Sequence, residues 1–391
     1  MIYLISQIIF WFAVAALFYV YVGYPLLVWL FGEIFPLEVK KGDFAPLVTV
    51  LITAYNEENA IRLKLENTLQ IDYPKDKLEI LVASDGSTDR TDEIVKEFAA
   101  DGVKLFRQEG RMGKTFTQNK AVEAAKGEIV LFSDATTNYE KDVLQAILPN
   151  FADEKIGCVA GKLVYVDESK SSVGKGAKSY WNYETFLKQA ESRACSLIGA
   201  SGCLYAVRKS AYEPMYAEAC SDFLICTVVF RQGLRSVYEP NAVCTEETNQ
   251  HTKKEFQMRV RVISQTFTDL WRNREMLNPL RSGFYAIELL SHKLLRYAVP
   301  IFLLLIFVSS AISAFYSNLF IGFLALQVLF YAIAFTAWIA EKSGRSPGVL
   351  AIPLYFVLAN LASTIGFYKF LRGERYANWE PIRENSLESR L

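Results

Sequence analysis

The chain has 391 residues, and its 42 Lys plus Arg balance its 42 Asp plus Glu, so no net charge calls for a nucleic-acid partner. Two histidines, His251 and His292, are too few for a histidine triad or a histidine-rich metal site. All six cysteines lie between Cys158 and Cys244 without a CxxC pair, so buried free thiols of a reducing compartment are expected, not a zinc site.

Apolar residues, 52% of the chain, are bunched at its two ends. No charge occurs from Met1 to Gly32, from Tyr297 to Ala340 or from Ser346 to Tyr368, and about 20 apolar residues suffice to span a bilayer. The second stretch is long enough for two spans, with "FYSNLF" as a hairpin tip, which gives one span before the polar middle and three after it. The first stretch has neither a basic start nor a small-residue cleavage site and reads as an uncleaved anchor. Lys40 and Lys41 after it, and Lys293 and Arg296 before the later spans, place the middle of the chain in the cytoplasm of a multi-pass inner (plasma) membrane protein. Three spans then put the tail outside, whereas Lys369, Arg372 and Arg375 favour a tail inside; a last segment that re-enters without crossing would satisfy both. The divisions expected are an anchor at 1–35, a catalytic domain at 44–250, an amphipathic interface at 251–293, membrane helices at 294–371 and a tail at 372–391.

In the middle, "LVTVLITA", "LEILVAS", "VKLF", "EIVLFS", "GCVAGKLVYV" and "CLYAV" read as strands. The first four alternate with "EENAIRLKLENTLQ", "STDRTDEIVKEFAA" and "GKTFTQNKAVEAAK", each long enough for a crossover helix between parallel strands. The fold class is α/β, and its ligands belong at the carboxyl ends of the strands. Those ends carry "AYNEEN", "SDGSTDRT" and "SDATTN". Ser87 and Thr88 are expected to cap the following helix, but three acidic turns on one sheet edge crowd negative charge that a metal-bound anion would relieve.

"LITAYNEEN", "ILVASDGSTDRT", "GRMGKTFTQNKAVEAAKGEIVLFSDATT" and "GASGCLYAVRKSAY" together resemble the family 2 glycosyltransferases, in particular the membrane-embedded branch of cellulose, chitin and hyaluronan synthases. The resemblance implies a GT-A fold, a nucleotide-sugar donor, Mg2+ or Mn2+, and inversion at the anomeric carbon. It places Tyr55, Glu57, Asp85, Lys114 and Asp134 at the donor, Asp134 on the metal, and Asp222 in "EACSDFLIC" as the base. The family's second acids are replaced here by Ser84, Thr136 and Ser221. A single metal carboxylate is workable, because these ions keep waters and substrate phosphates around one or two protein carboxylates, and it implies weak metal affinity without the donor. Asp222 as a mere helix cap is the competing reading.

"TKKEFQMRVRVISQTFTDLWRNRE" carries Phe256, Val260, Ile263, Phe267 and Leu270 at helical spacing. The synthases' Gln-Arg-x-Arg-Trp acceptor pattern keeps only Arg259 and Arg261 here, so acceptor stacking on an indole is unavailable; a helix lying on the membrane surface is the plainer reading. Trp181, Tyr183 and Phe186 form a candidate sugar platform, although core or interface packing explains an aromatic cluster at helical spacing more readily. Lys293 and Arg296 are expected to snorkel to headgroups, and Trp379 and Arg383 sit in a tail motif with no assignable chemistry. The reading is an inverting transferase that moves a sugar from a UDP-sugar to a lipid-linked or polysaccharide acceptor in envelope or exopolysaccharide synthesis, alongside envelope-biosynthesis partners. A single-sugar transferase acting on a polyprenyl-phosphate or other lipid, and a non-catalytic membrane scaffold, are the alternatives; a transporter is weakest, since no span holds an ionisable residue.

Overall fold

In a computed structural model, residues 1–166, 172–247, 252–345 and 347–377 are described. Among them, one eight-stranded sheet runs in the order β3-β2-β1-β4-β7-β6-β8-β5. β1 (Val48–Ala54), β2 (Leu78–Ser84), β3 (Val103–Arg107) and β4 (Ile129–Asp134) are mutually parallel, as their crossover helices require. Every residue of β1 is buried, the mark of a strand covered on both faces. Register sets Ala54 beside Ser84 and Thr53 beside Asp134, so the turns after β1, β2 and β4 open on one edge.

The other half of the sheet is mixed. β7 (Tyr205–Arg208) runs antiparallel to β4 and to β6 (Ile156–Val166), while β8 (Arg235–Glu247) lies parallel to β6 and antiparallel to the short β5 (Asn138–Tyr139). β5 and β8 were not expected from the sequence. β8 contains Pro240 and Asn241, which read as a turn; the structure absorbs them in a bulge, where the partner of Gly161 is Glu239 and that of Lys162 is Val243. A Cβ on Gly161 would collide with Leu204 and the Ala242 carbonyl, so the bulge is packed directly against this glycine.

The capping expectation is also corrected. The helix Thr91–Glu97 begins on Asp89, whose carboxylate accepts the amides of Thr91 (3.0 Å) and Glu58 (3.1 Å). Ser87 and Thr88 turn instead to Asn56, which accepts the Thr88 amide at 2.8 Å and donates its own amide to Ser87 Oγ at 3.2 Å. Asn56 holds a left-handed φ of 53° in the turn after β1, a conformation its short polar side chain tolerates.

Three helices are long and apolar enough to cross a membrane, Ile2–Ile34, Asn318–Lys342 and Gly348–Leu371; a fourth exists if Phe284–Leu295 and Val299–Ala314, bent by 57°, count as one span. The break between Ala314 and Asn318 is the expected hairpin tip. The amphipathic helix forms as Thr252–Arg272, and its apolar residues Val260, Ile263 and Phe267 pack on Ala362, Ile365 and Phe370 of the last apolar helix. At Gly366 a Cβ would stand 2.9 Å from Ile263 Cγ2, so the two helices touch at backbone distance. Beyond that helix the chain returns to the sheet domain: Gln265 Nε2 donates to the Tyr376 carbonyl at 2.8 Å, and the Ala377 carbonyl lies against Gly113.

Arg296 departs from its expected snorkelling. Its guanidinium pairs with Glu184, beside His292, which stands 3.3 Å from Glu184 and 2.6 Å from Glu191. Glu191 also accepts from Tyr24 Oη in the first apolar helix at 2.6 Å. A buried carboxylate in this seam is stabilised only by such partners, which is why the arginine stays inside. Lys293 likewise turns inward, 5.4 Å over the Phe223 ring.

Candidate functional site

The carboxyl edge of β1, β2 and β4 forms the floor of the candidate site. Tyr55 and Glu57 leave β1, and the Glu57 amide donates to Thr91 Oγ1 at 2.8 Å, which fixes the turn. The Arg111 guanidinium stacks 4.1 Å over the Tyr55 ring, a cation–π contact that sets a flat apolar-plus-cationic surface at the pocket wall. Asp85 is fully buried and accepts from the amides of Met112 (2.9 Å) and Gly113 (2.9 Å) and from Thr117 Oγ1 (2.8 Å). Its carboxylate therefore holds the "GRMGK" loop in shape. Gly86 adds to this: a Cβ there would stand 2.6 Å from the Gly110 carbonyl, and its φ of +71° belongs to glycine.

The loop delivers Lys114, the first residue of helix Lys114–Ala124, to Asp134 at the end of β4, and the two form an ion pair. Asp222 enters from the opposite side as the second residue of helix Ser221–Arg231. Its Oδ1 accepts the Phe223 amide at 3.0 Å and the Cys220 thiol at 3.1 Å. Oδ2 points elsewhere. A Cβ placed on Gly202 would lie 3.3 Å from Asp222 Oδ2, 3.4 Å from Lys114 Nζ and 3.5 Å from Asp134 Oδ2, so the three groups surround one glycine. One Asp222 oxygen is thus spent on the first helical turn and the Cys220 thiol, and the other faces the cradle.

Electrostatics follow from this crowding. Burial works against the Lys114 ammonium, but Asp134 and Asp222 outweigh it and hold the pKa above its ordinary value. Burial, with Asp222 and Asp269 behind it, pushes the Cys220 thiol well above its usual range, so it remains a neutral donor to Asp222.

The approach to Asp222 is braced on both sides. Thr115 Oγ1 donates to the Ala219 carbonyl (2.8 Å) and Asn119 Nδ2 to the Met215 carbonyl (2.6 Å), which ties the Lys114 helix to the segment before Asp222. From the amphipathic helix, Asp269 accepts the Cys220 amide (3.1 Å) and the Tyr216 hydroxyl, and Arg272 pairs with Glu218. The Ala200 amide donates to the Asp222 carbonyl at 2.9 Å, which docks the "GASG" loop on the same helix start.

Tyr55, Glu57, Asp85, Lys114, Asp134 and Asp222 are thus gathered on one edge. Arg259 and Arg261 lie on the amphipathic helix, where Arg259 pairs with Glu255 at 2.7 Å and Glu255 accepts from Tyr355 Oη at 3.1 Å. Tyr183 packs in the seam with Tyr24, Val28 and Leu187, and Phe186 is 40% exposed. The Trp181 side chain, His251, Trp379 and Arg383 lie outside the described residues. Four residues went unassigned in the sequence: Gly202 and Arg111, although both stand in quoted motifs; Lys64, buried beside the Asp134 loop; and Glu246, which enters from the unforeseen β8.

The chemistry fits a hard divalent cation: the Asp134 carboxylate at the end of β4 faces a cradle that a single Cβ on Gly202 would fill, and oxygen donors are what such ions take. Among the described residues, no three of His, Cys, Asp and Glu gather closely enough to hold a metal unaided.

Residues 49–215, from β1 through β7, match the family model described as glycosyl transferase family 2. This chain carries a family 2 glycosyltransferase domain. Beta-monoglucosyldiacylglycerol synthase of Nostoc sp. (strain PCC 7120) is 27% identical over 172 residues, 43% of this chain and 37% of that protein. Poly-beta-1,6-N-acetyl-D-glucosamine synthase of Staphylococcus aureus (strain MSSA476) is 29% identical over 205 residues, 50% of this chain and 49% of that protein. The match thus spans half or less of the length of these curated relatives. Mannosyltransferase PcManGT from Pyrobaculum calidifontis, solved in complex with GDP-Man and Mn2+, shares the fold over 94% of this chain and 99% of its own, with a TM-score of 0.72 at 23% identity. The glycosyltransferase domain therefore has the GT-A architecture that its motifs implied, carried with three, or up to four, candidate membrane helices.

Proposed function

We propose that this glycosyltransferase moves a sugar from a UDP-sugar to a lipid-linked or polysaccharide acceptor, with inversion, at the cytoplasmic face of the inner (plasma) membrane. The observation that carries this reading is the convergence of Asp222, Lys114 and Asp134 on Gly202. In the proposed step the acceptor hydroxyl oxygen bonds to the anomeric carbon as the bond from that carbon to the diphosphate oxygen breaks, and the hydroxyl proton passes to Asp222 Oδ2. Base and leaving group stand on opposite sides of the sugar, so a single displacement inverts the centre. Lys114 meets the charge that develops on the departing diphosphate, and Tyr55, Glu57 and Arg111 line the nucleotide side. Asp134, with Thr136, would hold Mg2+ or Mn2+, which when bound supplies Lewis-acid neutralisation of the diphosphate.

Lipid delivery is favoured by the way the site is mounted. The segment before Asp222 is bonded to an amphipathic helix whose other face is covered by an apolar helix long enough to span. Among the relatives, one is a beta-monoglucosyldiacylglycerol synthase and another a poly-beta-1,6-N-acetyl-D-glucosamine synthase, so a glycolipid and a polysaccharide are both product classes of similar proteins. The test is transfer from a panel of labelled UDP-sugars to a membrane lipid extract, using protein in nanodiscs. Asp222→Asn should abolish transfer and keep UDP binding; transfer by that variant at the wild-type rate refutes the assignment.

A further inference from the structure

The metal loop offers Asp134 and then Thr136 where a second acid would stand, and the fold brings a carboxylate to that place from far along the chain. β5 and β8 pair antiparallel with Asn138 opposite Thr245 and Tyr139 opposite Cys244, so the next residue of β8, Glu246, faces the loop that joins β4 to β5. Thr136 Oγ1 donates to Glu246 Oε1 at 3.2 Å. Glu246 is half-buried and paired in β8 with Tyr165 of β6, so strand pairing fixes its position.

We propose that Glu246 supplies the second carboxylate of the metal site, taking in space the role that an acid at Thr136 would take in sequence. This rests on the metal-dependent reading above. The ion is then held by Asp134, Glu246 and the donor diphosphate, with Thr136 fixing the glutamate between them. Among the described residues no three such side chains gather, so the nucleotide completes the site, and loading of metal and donor is coupled.

The experiment is a Mn2+ titration of the full chain in nanodiscs with saturating UDP, and with GDP in parallel, read by the electron paramagnetic resonance signal of free Mn2+. Glu246→Gln, which keeps shape and strand pairing, should weaken Mn2+ binding by about tenfold or more, the usual range for loss of a ligand or its close support. Thr136→Asp in the Glu246→Gln background should restore most of it, since the acid then stands at the neighbouring loop position. Unchanged Mn2+ binding in Glu246→Gln overturns the proposal, as does a double variant that stays as weak as the single one. Wild-type protein that binds no Mn2+ with either nucleotide sinks this proposal and the metal-dependent reading together. Unchanged elution volume and thermal midpoint of the single variant separate ligand loss from misfolding.

Discussion

Lys64 presents a testable cost inside the catalytic domain. It sits in the helix Ile61–Leu69, is 1% exposed, has no hydrogen-bond partner for its Nζ, and lies 3.5 Å over the Tyr139 ring. Burial brings its pKa from 10.5 down to about 7, against a weaker upward pull from Cys244, Asp134 and Cys203. At about 1.4 kcal/mol per pKa unit, a shift of this size costs the folded state roughly 5 kcal/mol at and below pH 7. The unfolded chain binds the extra proton between pH 7 and 10.5, so stability rises with pH across that window. Lys64→Met keeps the aliphatic stem and removes the charge. It should therefore stabilise the domain near pH 7 by up to roughly 5 kcal/mol, and its advantage should shrink to roughly 1 kcal/mol near pH 9.5. Thermal unfolding of both proteins in nanodiscs at the two pH values reads this as a gap of several degrees, at about 2–4 °C per kcal/mol, that closes on the alkaline side. A variant less stable than wild type at both pH values, or a gap that ignores pH, refutes the reasoning.

Two further variants probe the cradle directly. Gly202→Ala places a methyl 3.3 Å from Asp222 Oδ2 and 3.4 Å from Lys114 Nζ at a position whose backbone tolerates a side chain; transfer should fall by about 100-fold or more with the thermal midpoint nearly unchanged, since about 1 Å of misplacement is enough for such a loss. Lys114→Met frees Asp134 from its ion pair, so Mn2+ binding without nucleotide should tighten by about tenfold while transfer falls, because a cation no longer competes for the carboxylate; unchanged Mn2+ binding would show that the ion pair does not oppose the metal.

The parts of the fold legible in the sequence are those in which local pattern and final environment agree. β1, β2 and β4 are continuous apolar runs because both faces are covered, and each ends in a polar turn because the sheet edge meets solvent. β8 escaped because Pro240 and Asn241 read as punctuation, and only a neighbouring strand with a glycine at position 161 makes room for the bulge. Asp134 and Lys114 stand in short motifs and could be found singly; that Gly202 brings them to Asp222 depends on a loop whose path is set by the Ala200–Asp222 bond. Arg296 was misread because snorkelling assumes free access to headgroups, whereas Glu184, far away in sequence, supplies a nearer partner. Lys64 carried a signal that was passed over: it falls beside Ile61 and Leu65 on the buried stripe of its helix.

The amphipathic helix joins the last apolar helix to the candidate site, and its two faces explain why its hydrophobic pattern alone was ambiguous. A helix that only floats on a bilayer needs a charged face toward water and nothing more. Here the polar face is occupied by specific partners: Asp269 on the Cys220 amide, Gln265 on the Tyr376 carbonyl and Arg272 on Glu218. Its apolar face is covered by the last apolar helix, at backbone distance where Gly366 meets Ile263. Packed interiors transmit displacement because they resist compression, so that apolar helix cannot shift along its neighbour without moving the segment that carries Cys220 and Asp222. Lys114 and Asp134 are anchored to the opposite half of the sheet, through Asp85 and β4. The distance between Asp222 and the Lys114–Asp134 pair is therefore set jointly by the sheet and by an apolar helix long enough to span a membrane, an arrangement that suits the proposed meeting of a soluble donor with a lipid-borne acceptor.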